Sequence, residues 1–269
     1  NEKVACETAV GASIAGARSF TAMKHVGLNV AADPLFTASY TGVNGGLVLV
    51  AADDPGLYSS QNEQDSRHYA KASKIAMLEP SDSSECKEFT KLAFDLSERF
   101  DTPFFIRLST RVSHSQSMVE LEDRHSVETK PYEKNIGKYV MMPANAVKRH
   151  VVVEDRILAL KDFAENSDIN PIETNGSKIG VISAGIAYMY AKEALGDKVD
   201  YLKLGMVYPL PEKKIKEFAK KYDKVFVIEE LDPVIEDHCK ALGVDVVGKD
   251  VFTLLGEYTP AMIKKAVLG

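Results

Sequence analysis

Short apolar runs that alternate with longer segments of helical periodicity constrain the fold of this 269-residue chain more than any other feature. The clearest run, residues 47–52, reads LVLVAA and is apolar at every position, which is typical of a strand buried on both faces of a parallel sheet. Similar runs occur at residues 75–78, 104–108, 179–183, 201–204 and 225–228. We therefore predict an α/β fold of two tandem domains with mostly parallel sheets flanked by helices, the first sheet being parallel throughout.

The alternation lapses between residues 115 and 143, where charged residues are mixed with prolines and glycine. We predict a first domain at residues 1–123, a linker at 124–143 and a second domain at 144–269. A helix is predicted at residues 144–166, and its apolar face is formed by Val147, Val151, Ile157, Leu158, Leu160 and Phe163. A second helix is predicted at residues 82–100, with Ser81 as its N-cap.

Charge and cysteine content exclude several classes of protein. The net charge is -6 and basic residues are interspersed with acidic ones, which argues against a nucleic-acid partner. No apolar run approaches the roughly 20 residues that span a bilayer, and no signal-peptide pattern opens the chain. The three cysteines, an odd number with no C-x-x-C pair, suit a reducing compartment and cannot hold an iron–sulfur cluster alone. We expect a cytoplasmic protein with no membrane or nucleic-acid partner.

The first 34 residues predict a small-residue helix at 2–17, a strand at 19–21, a turn at 24–27 and an apolar stretch at 28–34. Glu2 opens the helix. Its carboxylate could face a cofactor or could simply be an acid favoured at a helix start by the macrodipole, and the residues alone favour the second interpretation. The chain starts without Met and without the strand that commonly opens an α/β domain, so we expect it to be truncated.

Ligands of open α/β sheets gather at the carboxyl ends of strands, and polar residues follow several of the predicted strands. Asp53 opens a long polar loop at residues 53–67, which is either the wall of a site or a solvated surface loop. His25 and His114 also follow strands. Arg107 and Arg111 could hold a carboxylate bidentately or form salt bridges. No P-loop, G-x-G-x-x-G, G-x-S-x-G or H-E-x-x-H motif occurs, and the histidines lack metal-ligand spacing, so no metal site is predicted.

Ordered blocks along the whole chain carry a resemblance to a known family. They include NEKVA at residue 1, MKHVGLN at 23, DDPG at 53, SSQNEQD at 59, LEPS at 78, YPLP at 208, EELDP at 229 and LGEYT at 255. With these blocks the chain resembles the thiamine-diphosphate-dependent 2-oxoacid:ferredoxin oxidoreductases, and among them the alpha subunits of the indolepyruvate type. The resemblance implies a pyrimidine-type thiamine diphosphate-binding domain followed by a transketolase C-terminal-like domain.

The resemblance also implies residue roles. The activating glutamate of the family falls on Glu2, whose carboxyl group would bond N1′ of the aminopyrimidine and so promote removal of the C2 proton of the cofactor. The implied cofactor-binding residues are Glu2, His25, Val26, Gly27 and Asn29, and the implied substrate-binding residues are His25, Asp53, Arg111 and His114. Pyruvate-specific relatives place an arginine at about the position of Asp53, so carboxylate binding must differ here, with Arg111 as the substitute.

The implied reaction is the oxidative decarboxylation of an aryl 2-oxoacid to acyl-CoA, with ferredoxin as electron acceptor. The implied partners are a beta subunit, ferredoxin, the 2-oxoacid and coenzyme A, within a homo- or hetero-oligomer. Mg²⁺ and the iron–sulfur clusters of the full enzyme would be bound outside this chain, which we expect to be inactive in isolation. Two alternatives stay open: a non-oxidative thiamine diphosphate decarboxylase or ligase subunit, and a noncatalytic subunit-interaction module.

Overall fold

The computed structural model describes residues 1–269 and contains two sheets flanked by helices. The first sheet has the strand order β1-β2-β4-β3-β8, and the second has the order β5-β7-β6-β9. The strands are β1 Ser19–Lys24, β2 Leu47–Asp53, β3 Ala76–Leu78, β4 Phe104–Ser109, β5 Ile172–Glu173, β6 Ile179–Ala184, β7 Asp200–Leu204, β8 Met206–Tyr208 and β9 Lys224–Ile228. This arrangement confirms the predicted fold class.

Eleven helices and one 3₁₀ turn, Gly196–Lys198, surround the sheets. The helices are α1 Glu2–Ile14, α2 His25–Thr41, α3 Arg67–Ser73, α4 Ser83–Phe100, α5 Thr110–His114, α6 Ile136–Tyr139, α7 Pro143–Asn166, α8 Gly185–Leu195, α9 Glu212–Ala219, α10 Val234–Ala241 and α11 Pro260–Leu268. None of them combines the length and the apolar composition that crossing a membrane requires.

Strand β2 lies between β1 and β4 and is parallel to both, and all its apolar side chains except that of Ala52 are buried. The register pairs Lys24 with Ala52, and Asp53 with Ser109, so three strands end at the same edge of the sheet. The continuous apolar run of β2 is explained by helices that cover both faces of the sheet. The carboxyl edge therefore gathers the polar residues that follow β1, β2 and β4.

The prediction that the first sheet is parallel throughout is wrong. Strand β8 belongs to this sheet and runs antiparallel to β3, and β5 is antiparallel to β7 in the second sheet. Only Gly205 separates β7 in the second sheet from β8 in the first. A Cβ atom at Gly205 would lie 2.4 Å from the carbonyl oxygen of Ile169, so the chain can pass between the sheets here only as glycine.

The beginning of the chain differs from the prediction in two ways. Helix α1 ends at Ile14 rather than at residue 17, because Gly16 has a left-handed φ of +99° and its carbonyl oxygen accepts a hydrogen bond from Lys130 N. Strand β1 extends to Lys24, and α2 starts at once at His25 and continues through Pro34. No separate turn therefore exists at residues 24–27.

The N-cap of α4 is Asp82, whose carboxylate accepts from Glu85 N at 2.8 Å. The predicted cap, Ser81, instead donates its hydroxyl to the Glu85 carboxylate at 2.7 Å. The prediction of Ser81 was therefore wrong by one residue, because both neighbours have cap-forming side chains and only the backbone geometry distinguishes them.

The predicted apolar face of α7 is only partly correct. Ile157 and Leu160 are buried, but Val147, Val151 and Leu158 are 61–71% exposed. Part of the helix instead faces α2 with Arg149 and Arg156, whose guanidinium groups donate to the carbonyl oxygens of Tyr40 and Ser39 at 2.7 Å. Periodicity of apolar residues does not reveal such contacts. The domain boundaries at residues 123 and 144 stay predictions.

Candidate functional site

The carboxyl edge of the first sheet brings the start of α2 beside the start of α1. Because β1 runs directly into α2, His25 is the first helical residue, and its cap, Lys24, contributes no side-chain bond to the helix. The first backbone N–H groups of α2 therefore point out of the carboxyl edge, where an electronegative ligand group is favoured.

Glu2 lies against this first turn of α2. A Cβ atom at Gly27 would be 2.6 Å from Glu2 Cγ and 2.9 Å from Glu2 Oε1, so only a glycine at position 27 permits the approach. Neighbouring side chains of α1 have other partners: Asn1 caps the helix, and Lys3 pairs with Glu7 and Asp33. The Glu2 carboxylate takes no part in these contacts and is only partly buried.

His25 is 1% exposed, and its Nε2 atom lies 2.9 Å from the carbonyl oxygen of Asn62. A carbonyl oxygen only accepts, so Nε2 must carry the proton, and in the neutral ring Nδ1 is then an acceptor. Nδ1 is buried and has no hydrogen-bond partner within the protein. His25 therefore has one ring nitrogen fixed by the loop and one that can accept a hydrogen bond.

The remaining implied cofactor residues, Val26 and Asn29, lie on the first two turns of α2. Val26 is half-buried, and Asn29 accepts a hydrogen bond through Oδ1 from the Tyr69 hydroxyl at 2.5 Å. Lys24, which we did not single out from the sequence, donates to the carbonyl oxygen and hydroxyl of Ser59 at 2.6 and 2.9 Å. The structure therefore gathers Glu2, His25, Val26, Gly27 and Asn29 at the junction of α1 and α2.

Asp53 is buried in ionic contacts. Arg107 Nε donates to Asp53 Oδ2 at 2.7 Å, Ser66 N donates to the same oxygen at 3.0 Å, and the Ser66 hydroxyl donates to Oδ1. Burial raises the pKa of Asp53, although Arg107 opposes this effect. Asp53 and Arg107 therefore form an ion pair. Arg107 Nη1 also donates to Glu79 at 2.7 Å.

Arg111 and His114 lie on the short helix α5, and neither contacts Glu2 or His25. Arg111 is exposed; it pairs with Glu257 at 2.6 Å, and its guanidinium lies 5.8 Å from the ring centre of Tyr58. His114 is exposed as well. The structure thus places these two predicted substrate residues apart from the group around Glu2, and their role in binding stays a prediction.

A buried ionic network that the sequence did not reveal lies between the two sheets. It contains Asp65, Arg67, Glu79, Glu229 and Glu230, together with the Asp53–Arg107 pair. Burial raises the pKa values of Glu229 and Glu230, that of Glu230 to about 7. Burial would also raise the pKa of Asp65, but Arg67 and Arg107 outweigh it and lower that pKa below its usual range. Arg67 and Glu229, which are directly paired in the network, lie 162 positions apart, so no local motif could have indicated it.

The two sheets, flanked by helices, have the α/β fold of the thiamine diphosphate-binding 2-oxoacid oxidoreductases. Residues 1–168 match the family described as "Pyruvate flavodoxin/ferredoxin oxidoreductase, thiamine diP-bdg". The chain belongs to this family. The match covers the first sheet except β8, and it includes every residue of the group around Glu2.

Curated relatives extend the similarity along the chain. Indolepyruvate oxidoreductase subunit IorA of Archaeoglobus fulgidus is 44% identical over 255 residues, which cover 93% of this chain and 41% of that protein. IorA of Methanothermobacter thermautotrophicus is 42% identical, with 100% of this chain and 46% of that protein covered. The chain therefore spans less than half the length of these relatives. The resemblance to indolepyruvate-type alpha subunits is confirmed.

Solved structures confirm the fold. A 2-oxoglutarate:ferredoxin oxidoreductase from Magnetococcus marinus, with 2-oxoglutarate, coenzyme A and succinyl-CoA bound, superposes with a TM-score of 0.78 at 18% identity, covering 99% of this chain and 55% of that one. A split-gene transketolase, an inactive beta4 tetramer, gives a TM-score of 0.55 at 16% identity, covering 100% of this chain and 78% of that one.

Proposed function

We propose that this chain forms the pyrimidine-binding side of the thiamine diphosphate site in an oxidoreductase that oxidatively decarboxylates aryl 2-oxoacids of the indolepyruvate type. The products would be CO₂ and an acyl-CoA, with ferredoxin accepting the electrons. The observation that carries the proposal is the contact of Glu2 with Gly27 at the start of α2, within a chain that is 40–44% identical to IorA subunits.

The residues at the start of α2 fit the cofactor. Gly27 leaves the space that brings Glu2 to the first turn, and Glu2 has a carboxyl group without a partner in the protein. Bound thiamine diphosphate supplies the carbon nucleophile that adds to the keto group and accepts the electrons released by decarboxylation. Glu2 would hold a proton between its carboxyl group and N1′ of the aminopyrimidine, which is general acid–base work.

The other residues of the group would bind and orient. His25 Nδ1 would accept a hydrogen bond from a ligand group, since Nε2 is committed to the Asn62 carbonyl oxygen. Val26 would supply apolar contact beside the cofactor, and Asn29 would be held in place by Tyr69. The loop at residues 54–66, through Lys24 and Ser59, would limit access of water to the group.

The remaining parts of the enzyme are proposed to lie outside this chain. They are the diphosphate and Mg²⁺ site, the iron–sulfur clusters and the beta subunit, and the site would be completed within an oligomer. His25, Asp53, Arg111 and His114 stay proposed substrate residues, and the exposed guanidinium group of Arg111 is suited to a substrate carboxylate. The three free cysteines fit the proposed cytoplasmic location.

The test is Glu2→Gln in the full enzyme assembly. We expect decarboxylation of indolepyruvate to fall by about 10²–10⁴-fold, because an amide cannot exchange the proton with the aminopyrimidine. Glu7→Gln, an exposed change on the same helix, is the matched control. Unchanged decarboxylation in Glu2→Gln would contradict the proposal and favour a noncatalytic interaction module.

Product analysis separates the oxidative from the non-oxidative reaction. The wild-type assembly should form acyl-CoA and reduced ferredoxin in proportion to CO₂. Release of CO₂ with free aldehyde, and without reduction of ferredoxin, would show the alternative decarboxylase or ligase chemistry.

A further inference from the structure

The loop at residues 54–66, here named the covering loop, contacts the candidate cofactor turn at two points. Lys24 Nζ donates to the Ser59 carbonyl oxygen at 2.6 Å, and His25 Nε2 donates to the Asn62 carbonyl oxygen at 2.9 Å. The loop also has internal support, since Asp54 Oδ2 accepts from Ser59 N and from the Ser60 hydroxyl at 2.9 and 2.7 Å. The position of the covering loop therefore sets the position of the His25 ring.

The C-terminal end of the covering loop is anchored by buried ionic contacts. Ser66 N and the Ser66 hydroxyl both donate to Asp53 at the end of β2. The Asp65 carboxylate receives three hydrogen bonds from the Arg67 side chain, from Nε at 2.9 and 3.1 Å and from Nη2 at 2.5 Å. The planar guanidinium group of Arg67 thus binds the last residues of the loop through several hydrogen bonds, a geometry that the ammonium group of lysine cannot reproduce.

The other side of the Arg67 guanidinium reaches the second sheet. Nη1 donates to Glu229 Oε2 at 2.5 Å, and Nη2 donates to the carbonyl oxygens of Glu230 and Asp232 at 3.1 and 3.0 Å. Glu229 is itself fixed, because its carboxylate accepts from the backbone N–H groups of Ile235 and Glu236 at 2.9–3.1 Å. One fully buried side chain therefore joins the covering loop to the segment between β9 and α10.

We propose that Arg67 is a positioning residue that holds the covering loop against Lys24 and His25. Through Arg67, the segment between β9 and α10 would determine whether the covering loop stays in place over the candidate site. The inference rests on the proposed function for what the site binds, but the contacts that carry it do not. A conformational change around Glu229 would release the Arg67 guanidinium group, and the covering loop would lose its anchor. His25 would then lose the acceptor that fixes its ring.

The test uses Arg67→Lys, which keeps the positive charge among the buried carboxylates but cannot make the bidentate contact with Asp65. Asp232→Asn is the matched control, because Arg67 uses only the backbone oxygen of Asp232 and the change affects the exposed His68 pair instead. Backbone amide hydrogen exchange of residues 56–64 in the complete enzyme should be at least about tenfold faster in Arg67→Lys than in Asp232→Asn.

Strands β2 and β4 serve as the internal reference for this measurement, and their exchange rates should be unchanged. If β2 and β4 accelerate as much as the covering loop, Arg67 supports the fold generally and the proposal is overturned. Loop exchange equal to that of the Asp232→Asn control would also overturn it.

A kinetic measurement connects the loop to the site. In the full assembly, Arg67→Lys should raise the KM for the 2-oxoacid at least about fivefold, because His25 is no longer held in place. If hydrogen exchange shows a more mobile covering loop in Arg67→Lys but the KM is unchanged, the proposed effect of the loop on the candidate site is overturned. The exchange result is independent of the cofactor, so a failed Glu2→Gln test would remove the proposed function and leave the role of Arg67 to be decided on its own.

Discussion

Gly27 determines how near the Glu2 carboxyl group lies to the first turn of α2. The residues without the family resemblance favoured a plain helix-start acid at position 2, because no local pattern shows which residue a side chain will meet. The structure shows which residue the Glu2 side chain meets: Gly27, which follows β1, lacks the Cβ atom that would otherwise occupy its space. His25 could be chosen from its place after a strand, and Asn29 only from the family resemblance. Their partners Asn62 and Tyr69 could not be chosen, since they lie 37 and 40 residues away.

Gly27→Ala tests this contact. The new methyl group would displace the flexible Glu2 side chain, so we expect thiamine diphosphate to bind the full assembly at least about tenfold more weakly, measured by isothermal titration calorimetry. Residue 27 is helical, and alanine in a helix is favoured over glycine by up to about 1 kcal/mol, so the free energy of unfolding should not fall. Gly11→Ala, whose Cβ meets no atom within 4 Å, is the control for the helix effect alone. If Gly27→Ala weakens binding and also lowers the free energy of unfolding, the weaker binding does not report on the position of Glu2 and the interpretation is contradicted.

At the scale of elements, β2 was predictable because a run buried on both faces carries an unbroken apolar signal, and β4 because only Arg107 interrupts its apolar run. Strand β8 was missed because three residues between a strand and a proline-rich segment show no periodicity, and only pairing with β3 makes them a strand. Helix α7 was predicted nearly to its ends, but only part of its predicted apolar face is buried. Its buried Arg156 donates to the Ser39 carbonyl oxygen at 2.7 Å, an interaction that apolar periodicity cannot indicate.

The start of α4 gives a prediction for a single element. Asp82→Ala should lower the free energy of unfolding by about 1 kcal/mol. Glu85 N loses its hydrogen-bond acceptor, and the N-terminus of α4 loses a negative charge that the helix dipole favours. Urea denaturation of the chain measures the effect. Ser84→Ala, an exposed change in the same turn, should stay within about 0.5 kcal/mol of the wild type. Equal effects of the two substitutions would show that Asp82 does not act as the cap.

At the scale of the whole molecule, the interface between the two sheets contains more buried carboxylates than arginines. Glu230 lies in this interface, where Oε1 accepts from Tyr258 N at 2.8 Å. Burial raises the pKa of Glu230 to about 7, Tyr258 and Arg107 act in the opposite direction, and Glu257 and Glu79 add to the increase. Below about pH 7, Glu230 therefore keeps a proton that an exposed glutamate would have released.

This proton makes the stability of the protein depend on pH. The unfolded chain releases it near pH 4.3 and the folded chain near pH 7, so the free energy of unfolding should fall as pH rises between these values, by up to about 3 kcal/mol. In Glu230→Gln the decline should be smaller, with Glu229 and Asp53 accounting for what remains, and the variant should be more stable than the wild type above pH 7. Urea denaturation at pH 5 to 8 measures this.

The exposed Glu193→Gln substitution is the control for the loss of one negative charge and should leave the pH dependence as it is. An identical decline in Glu230→Gln and in the wild type would show that Glu230 does not hold the proton.

Gly205 has a mechanical consequence. Because this one residue separates β7 from β8, the two sheets share a single continuous length of backbone with no slack between them, and the buried amide oxygen of Asn170 accepts from both Gly205 N and Met206 N at 3.0 Å. Strain in one sheet is therefore passed to the other within one peptide unit. The two sheets should melt as one cooperative unit, seen as a calorimetric enthalpy equal to the van't Hoff enthalpy.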